Sequence, residues 1–327
     1  MEKPHVFITR RILEAGLKMI NQSCDMEIWP ENFPPTPQQL REKVRGMQGI
    51  LCMLSDRMDG ELMDCAGEGL KVISTYAVGV DNIDVAEATR RGIAVGNTPG
   101  VLTDATADLA FGLLLAAARR ISEADRMVRA GQWKTWGPTT LLGADVHGAT
   151  LGIVGFGRIG QAIARRAHGF DMRVLYSTQG HAPKELPADS KAEEVNFDTL
   201  LQESDFISLN VPLTAETRGL MNKEAFDKMK PGAILVNTAR GGVVDQQALA
   251  EALSSGKLAG AALDVTDPEP IPADSPLLKL ENVVVVPHIG SASTRTRERM
   301  AVMAAENLLA GLRGERLPYC VNPQVYG

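Results

Sequence analysis

The sequence has few of the residues that mark several large classes of protein. Its cysteines, Cys24, Cys52, Cys65 and Cys320, are scattered and form no CxxC pair, so neither a zinc site nor a disulfide framework is expected, and reduced, buried thiols are predicted. No apolar run approaches the roughly 18 residues of a membrane helix, and the N-terminus lacks the apolar segment of a signal peptide. The formal net charge of -6 argues against a basic nucleic-acid surface. We therefore expect a cytoplasmic protein that binds no metal, membrane or nucleic acid.

Short β-branched runs alternate with helical stretches, a pattern typical of parallel sheets built from strand–helix–strand units. The 327 residues suit two domains of about 150 residues each. The predicted strands fall into two groups, which are Val6–Thr9, Ile50–Leu54, Val72–Thr75 and Ile93–Val95, and then Thr150–Val154, Val174–Tyr176, Phe206–Asn210, Ile234–Asn237, Ala261–Val265 and Val283–Val286. The sequence thus predicts an α/β protein with two doubly wound parallel sheets.

Two long helices are predicted on either side of the second group of strands, at residues 102–121 and at about 291–312. The second of these helices follows the last predicted strand and does not connect it to another strand. We therefore expect it to return to the first domain, which makes that domain discontinuous. The predicted domains are residues 1–101 with 291–327, and residues 102–290.

A glycine-rich segment directly follows one predicted strand. Residues 155–160 read GFGRIG, a GxGxxG pattern between an apolar strand and a helix-forming stretch. Gly155 permits the tight turn, Gly157 lets the backbone approach a pyrophosphate, and Gly160 allows close packing of helix on strand. The helix N-terminus then presents N–H groups and a partial positive charge to the phosphates. This context predicts a dinucleotide-binding site.

The segment after the next strand lacks the acid that an NAD-preferring site usually has about 20 residues after the glycines. It reads Ser177-Thr178-Gln179 instead. One interpretation is that these residues, together with Lys184 if its loop folds back, accommodate the 2′-phosphate of NADP(H). The other is that NAD(H) is held by contacts elsewhere. We expect NADP(H) to be preferred and NAD(H) to be usable.

Three polar residues follow the last three predicted strands, at the edge where parallel sheets bind ligands. They are Arg240, Glu269 and His288. A guanidinium can bind a carboxylate through two parallel hydrogen bonds. A histidine can protonate a developing alkoxide, and a neighbouring carboxylate can adjust the acidity of that histidine. These are the groups that reduction of a 2-oxo acid requires besides a hydride.

Only one of the five histidines has this placement. His5, His147, His168 and His181 are predicted in the N-terminal strand, a loop, a helix and a loop. A lone histidine is usually structural. The arginine and glutamate at matching positions favour a catalytic role for His288.

Three segments resemble a known family. Residues 237–245 (NTARGGVVD), 263–270 (LDVTDPEP) and 287–292 (PHIGSA) look like the signature of the D-2-hydroxyacid dehydrogenases. The similarity runs nearly end to end, and within the superfamily the chain is most similar to the glyoxylate/hydroxypyruvate reductases. This resemblance implies reduction of glyoxylate to glycolate, and of hydroxypyruvate to D-glycerate. It also implies a substrate domain made from both chain ends and a Rossmann-like cofactor domain, with a cleft between them.

The resemblance also assigns roles to residues. Arg240 is implied to bind the substrate carboxylate and carbonyl, His288 to donate the proton, and Glu269 to orient His288. The implied substrate-binding residues are Leu54, Val78, Gly79, Trp136, Arg240, His288 and Ser291. The implied cofactor-binding residues are Thr106, Gly155, Phe156, Gly157, Arg158, Ile159, Gly160, Ser177, Thr178, Gln179, Pro212, Thr217, Thr238, Ala239, Arg240, Asp264, His288 and Gly290. Among these, Asp264 is implied to hydrogen-bond the nicotinamide carboxamide.

A loop at residues 131–138 contains two tryptophans. Trp133 is interpreted as an anchor of a dimer interface. In the reductases that the chain resembles, a tryptophan at the position of Trp136 reaches into the active site of the partner subunit. A homodimer is therefore expected.

Other functions stay open. A phosphoglycerate dehydrogenase or another D-2-hydroxyacid dehydrogenase would use the same three residues, although the chain ends about 40 residues after His288, which leaves no room for a regulatory domain. A formate dehydrogenase is disfavoured because its hydride transfer involves no proton transfer in which Glu269 could take part. A non-catalytic dinucleotide-sensing module would predict a damaged triad, whereas all three residues are present.

Overall fold

A computed structural model describes residues 3–178 and 191–327 of the chain, which forms two compact units. Unit 1 comprises Met1–Leu102 and Ala292–Gly327, and unit 2 comprises Thr103–Ser291. The boundaries predicted from the sequence, after residues 101 and 290, each lie one residue before those of the units.

The helices and strands follow one another in regular alternation. Unit 1 begins with β1 (His5–Ile8), α1 (Glu14–Ser23), β2 (Asp25–Ile28), α2 (Pro37–Lys43), β3 (Gly49–Cys52), α3 (Gly60–Ala66), β4 (Val72–Thr75), α4 (Val85–Arg90) and β5 (Ala94–Gly96). Unit 2 contains α5 (Thr103–Ala118), α6 (Ile121–Arg129), β6 (Thr150–Val154), α7 (Arg158–Ala167), β7 (Arg173–Ser177), β8 (Ala192–Glu194), α8 (Phe197–Glu203), β9 (Phe206–Leu209), α9 (Lys223–Lys228), β10 (Ala233–Asn237), α10 (Gln246–Ser254), β11 (Leu258–Leu263) and β12 (Val283–Val285). Helix α11 (Thr294–Leu312) returns to unit 1.

The predicted doubly wound α/β architecture is confirmed in both units. The described strands of unit 1 form one parallel sheet in the order β2-β1-β3-β4-β5, and those of unit 2 form another in the order β12-β11-β10-β9-β6-β7-β8. Each sheet has an apolar cluster on both faces, which is why its strands read as continuous apolar runs rather than alternating ones.

Local sequence signals start many of the helices. Thr36 accepts the Gln39 N–H while the Gln39 side chain accepts the Thr36 N–H, which makes a capping box, and Pro37 fills the first helical position of α2. Asn222 and Asp245 cap α9 and α10 through their side chains. These caps fix where each helix begins after its loop.

Several predicted details are wrong. The described residues form five and seven strands rather than four and six, because the edge strands β2 and β8 are short, partly exposed and rich in Asp and Glu. The predicted helix at 102–121 ends at Ala118, and α6 starts only after Arg120, which has a φ of 53°. Cys65 and Cys320 are half-buried rather than buried.

No helix in the described ranges is long and apolar enough to cross a membrane.

Candidate active site

Three neighbouring strands of unit 2 deliver the triad predicted from the sequence. Arg240 follows β10, Glu269 lies in the loop after β11, and His288 follows β12, and these strands lie side by side in the order β12-β11-β10. Because parallel strands end at the same edge, all three side chains come from one edge of the sheet.

His288 and Glu269 are in direct contact. The Nδ1 atom of the histidine lies 2.9 Å from Oε2 of the glutamate, with the two side chains 28% and 33% exposed. The other carboxylate oxygen accepts the Thr266 N–H at 3.1 Å. The glutamate is therefore held by its own loop while it holds the Nδ1 edge of the imidazole ring.

Asp264 fixes the backbone that carries His288. Its two carboxylate oxygens accept the N–H groups of Ile289 at 2.6 Å and Gly290 at 2.9 Å, and its carbonyl accepts the His288 N–H at 2.9 Å. His288 has a φ of 53°, a left-handed conformation that costs a residue other than glycine about 1–3 kcal/mol. These three hydrogen bonds offset that cost and set the direction of the ring.

The loop that carries Arg240 is shaped by its neighbours. The Asn237 side chain donates to the Arg240 carbonyl at 2.9 Å and accepts the Ala239 N–H at 3.0 Å. A Cβ on Gly241 would lie 1.9 Å from the carbonyl carbon of Thr266. Only glycine therefore lets this loop pack against the loop that contains Glu269.

Two carboxyl groups at this edge have shifted pKa values, in opposite directions. Burial acts to raise the pKa of Glu269, but the hydrogen bond and charge of His288, helped by the Thr266 N–H, outweigh it and hold the pKa below the usual 4.5. The positive charge of Arg240 acts in the same direction. For Asp264 burial dominates and raises the pKa, against the effect of its two N–H donors. Glu269 thus stays ionised at neutral pH beside the imidazole ring.

The glycine-rich turn has the geometry expected for a pyrophosphate. Gly155 has a φ of 90°, and a Cβ there would lie 2.6 Å from the Asn210 carbonyl oxygen. A Cβ on Gly160 would lie 2.3 Å from the Gly155 carbonyl oxygen. Gly157, by contrast, is exposed, has open space around it and precedes α7, where Arg158 and Ile159 begin the first turn. The Phe156 side chain is buried and stacks on Tyr176, so only its backbone is available to a ligand.

Two buried polar atoms support a fit to a dinucleotide. The Thr238 hydroxyl and the Asn210 side-chain oxygen have no hydrogen-bond partner among the described residues, although both are buried. Such atoms are costly unless a ligand or water pairs with them. Thr238 lies just past β10 and Asn210 just past β9, so both are at the ligand-binding edge. These residues, with the open backbone at Gly157, fit a nicotinamide dinucleotide.

Hydrogen bonds hold two further predicted cofactor residues of unit 2. The Thr217 hydroxyl donates to the Pro212 carbonyl at 2.6 Å and so fixes the loop after β9. The Thr106 hydroxyl, in the first part of α5, donates to the Gly290 carbonyl at 3.2 Å. Ser291, a predicted substrate residue at the end of unit 2, is half-buried.

The end of β7 differs from expectation. The Thr178 hydroxyl donates to Oε1 of Glu194 at 3.1 Å, so the expectation that no acid lies near Thr178 is wrong. Glu194 was not predicted at this position because it belongs to the edge strand β8, whose sequence does not indicate a strand. Ser177 is buried, and Gln179 and Lys184 lie outside the described residues.

Unit 1 carries the other predicted substrate residues. Leu54 is 37% exposed in the loop after β3, and Val78 and Gly79 follow β4, with the Val78 carbonyl accepting the Asn97 side-chain amide at 2.8 Å. Buried Asp56, which was not predicted as a site residue, accepts the Met53 N–H at 2.8 Å and the Thr9 hydroxyl. Asp56 therefore fixes the shape of the loop that contains Leu54.

Trp133 and Trp136 are 60% and 77% exposed in unit 2. Neither tryptophan is buried within its own unit.

Comparison with known proteins agrees with this geometry. Residues 111–290 match the family model for the D-isomer specific 2-hydroxyacid dehydrogenase, NAD binding domain. A glyoxylate reductase from Korarchaeum cryptofilum is 53% identical over 324 residues, which are 99% of this chain and 97% of that protein. The TT0316 protein from Thermus thermophilus is 50% identical, with a TM-score of 0.90 over 97% of this chain and 99% of that one.

A further solved structure contains a cofactor. An NADPH-dependent glyoxylate/hydroxypyruvate reductase from Sinorhizobium meliloti, in complex with NADP and malonate, is 31% identical, with a TM-score of 0.85 over 99% of this chain and 98% of that one. The chain belongs to the D-isomer specific 2-hydroxyacid dehydrogenases. It is an oxidoreductase whose unit 2 contains the domain for a nicotinamide cofactor.

Proposed function

We propose that this enzyme reduces glyoxylate to glycolate, and that hydroxypyruvate is a second substrate giving D-glycerate. The observation that carries the proposal is the 2.9 Å contact between His288, which follows β12, and Glu269, in the loop after β11, at the same sheet edge as the Arg240 loop after β10. The likeness to the Korarchaeum glyoxylate reductase supports the choice of a small 2-oxo acid.

In the proposed mechanism, each member of the triad has one task. Arg240 binds the carboxylate of the 2-oxo acid and polarises its carbonyl oxygen. His288 donates the proton that this oxygen takes up as the carbonyl becomes a hydroxyl, and Glu269 keeps the ring oriented through its contact with Nδ1. The bound nicotinamide supplies the hydride for the carbonyl carbon.

The cofactor would lie along the carboxyl edge of the unit 2 sheet. The N-terminus of α7 and the backbone at Gly157 would bind the pyrophosphate. The Thr238 hydroxyl and the loop fixed by Asp264 would hold the nicotinamide end. The preference for NADP(H) was expected because no acid follows β7 in the sequence. In the structure Glu194 accepts the Thr178 hydroxyl at this position, so this reason for preferring NADP(H) no longer holds.

The dimer is proposed from exposed apolar surface. Helix α6 buries none of its own residues within the chain. With the loop after it, α6 exposes Ile121, Val128, Trp133, Trp136 and Leu142 at 53%, 53%, 60%, 77% and 66%. A second copy that covers this α6 surface by two-fold symmetry would remove it from water. The roles of Leu54, Val78, Gly79 and Ser291 in binding substrate, and the cytoplasmic location, stay predictions.

The test is a panel of 2-oxo acids with purified enzyme and both cofactors. We expect glyoxylate and hydroxypyruvate to give the highest kcat/KM, and His288→Ala to lower kcat by roughly 100-fold or more while cofactor affinity changes little. His147→Ala is the matched control, because this exposed histidine lies elsewhere on unit 2. Preference for a phosphorylated 2-oxo acid would favour the phosphoglycerate alternative. Cofactor binding without turnover of any 2-oxo acid would favour the sensing module.

A further inference from the structure

The neighbouring strand β8 places a carboxylate, that of Glu194, beside the end of β7. Glu194 ends β8, which pairs with β7 in parallel so that Tyr176 lies opposite Glu194. Its Oε1 accepts the Thr178 hydroxyl at 3.1 Å, and its Oε2 lies 3.5 Å from the Tyr176 hydroxyl. Both hydroxyls therefore donate to the same carboxylate.

Tyr176 and Thr178, whose hydroxyls donate to Glu194, lie beside the glycine turn at residues 155–160. The Gly155 N–H donates to the Ser177 carbonyl at 2.8 Å, which ties the turn to the residue before Thr178. The Tyr176 ring stacks on the Phe156 ring at a centroid distance of 4.0 Å. In folds of this kind, the residue at the end of the second strand faces the adenine ribose of the dinucleotide. Thr178 and Glu194 thus lie where the ribose hydroxyls are recognised.

The hydrogen bond to Glu194 limits what Thr178 can bind. A hydroxyl has one proton to donate and two lone pairs, whereas a carboxylate only accepts. Because the Thr178 proton points to Glu194, the hydroxyl oxygen can accept a hydrogen bond but has no second proton to give. A ribose 2′-hydroxyl can donate to it, whereas a 2′-phosphate needs donors and would also meet the negative charge of Glu194.

We infer that Glu194, presented by the edge strand β8 and bonded to Thr178, is a specificity-determining residue that favours NADH over NADPH. It replaces the acid that is missing from the end of β7 itself. This inference rests on the dinucleotide site of the proposed function, and it concerns only the adenosine half of the cofactor.

Glu193 provides a matched control in the same strand. It precedes Glu194, is similarly exposed, and pairs with Arg173 at 2.9 Å rather than with Thr178. Glu193→Gln and Glu194→Gln therefore remove the same charge from adjacent positions of one strand, but only the second removes it from the Thr178 hydroxyl.

The experiment measures the Kd of NADH and of NADPH by isothermal titration calorimetry, without substrate. We expect the wild type to bind NADH more tightly, and Glu194→Gln to shift the ratio of the two Kd values toward NADPH by about tenfold or more, the effect of one removed charge near the phosphate. Glu193→Gln should leave the ratio unchanged. An unchanged ratio in Glu194→Gln, an equal shift in Glu193→Gln, or a wild type that prefers NADPH would overturn the inference.

Failure of this inference is distinguishable from failure of the proposed function. The Kd ratio needs no turnover, so an enzyme that did not reduce glyoxylate would still report it. Conversely, glyoxylate reduction with a Kd ratio unaffected by Glu194 would leave the proposed reaction intact and remove only the role of Glu194.

Discussion

The Nδ1 atom of His288 lies 2.9 Å from Oε2 of Glu269, and this contact determines which nitrogen of the ring can act as an acid. A carboxylate only accepts hydrogen bonds, so it fixes a proton on Nδ1. The proton transferred to substrate would then leave from Nε2. Against the effect of burial, the same contact holds the pKa of Glu269 below 4.5, because the hydrogen bond and charge of the histidine favour the ionised carboxylate.

The first prediction is a change in pH dependence. Because its pKa is lowered below 4.5, Glu269 is ionised throughout the neutral range, where its carboxylate can accept a hydrogen bond from Nδ1 of His288. The value of kcat/KM should fall in acid as the Glu269 carboxyl takes up a proton and no longer accepts this hydrogen bond, whereas Glu269→Gln should lower kcat/KM at neutral pH and remove the acid fall. The measurement is kcat/KM against pH, with exposed Glu224→Gln as control. An acid fall that is unchanged in Glu269→Gln would contradict the assigned role.

The sign of the effect on stability follows from the same shift. A carboxyl whose pKa is lower in the folded protein adds stability above its unfolded value, here about 4.5, and loses it as pH falls through the folded value. Glu269→Gln should therefore reduce the free energy of unfolding at neutral pH and have little effect in strong acid. Denaturant titrations at both pH values check this.

The second prediction concerns Arg240. Lysine keeps the charge but cannot make the two-pronged contact with a carboxylate, so Arg240→Lys should raise the KM for glyoxylate by roughly tenfold or more, the value of one charged hydrogen bond. Arg218→Lys is the control, because Arg218 is exposed on the same edge and pairs with Asp267 at 3.5 Å. Steady-state kinetics and cofactor Kd values check the result. A KM raised equally by both variants would show that the effect does not depend on a specific contact between Arg240 and the substrate carboxylate.

The third prediction concerns Asp264, which accepts two backbone N–H groups. In Asp264→Asn the amide oxygen can accept only one of them, and its NH₂ group would face the other donor. An unpaired buried donor costs about 1–3 kcal/mol, so the free energy of unfolding should fall by that amount. Turnover should fall as well, because the His288 backbone loses part of its support. Asp267→Asn, at an exposed carboxyl in the same loop region, is the control. Unchanged stability and turnover would show that the two hydrogen bonds matter little.

Much of this arrangement could be predicted from the sequence, for a physical reason. Gly155 and Arg240 follow strands whose apolar runs are buried on both sides, and His288 follows β12, an edge strand that still reads as an unbroken run of valines. The ends of these strands were therefore visible in the sequence, and the ligand edge followed from them. Glu269 was found in the same way, whereas Asp264 was implied by the family resemblance. Site residues that follow apolar strands were thus accessible to sequence reasoning.

Residues supplied by the acidic edge strand β8 and by a broken helix were not predictable in this way. Strand β8 has no buried residue and contains two glutamates, so nothing in its pattern indicated a strand, and the contact of Glu194 with Thr178 was hidden. The break at Arg120 falls between two good helix-formers and depends on a left-handed residue that carries no glycine signal. These features arise from tertiary packing, which a short window of sequence does not encode.

The last prediction concerns assembly. If a second copy covers the α6 surface, placing charges there with Ile121→Glu and Val128→Glu should convert a dimer to a monomer, because both side chains are 53% exposed in the single chain. Trp136→Ala should keep the dimer and change the ratio of kcat/KM for hydroxypyruvate to glyoxylate by roughly tenfold, the effect of altering one apolar contact with a substrate side chain. Phe33→Ala is the control, since this aromatic is equally exposed, at 77%, but lies in unit 1. Sedimentation analysis and steady-state kinetics measure the two effects. A wild type that is monomeric and fully active would refute the dimer, and a Trp136→Ala variant with an unchanged ratio would show that this tryptophan only packs in the interface.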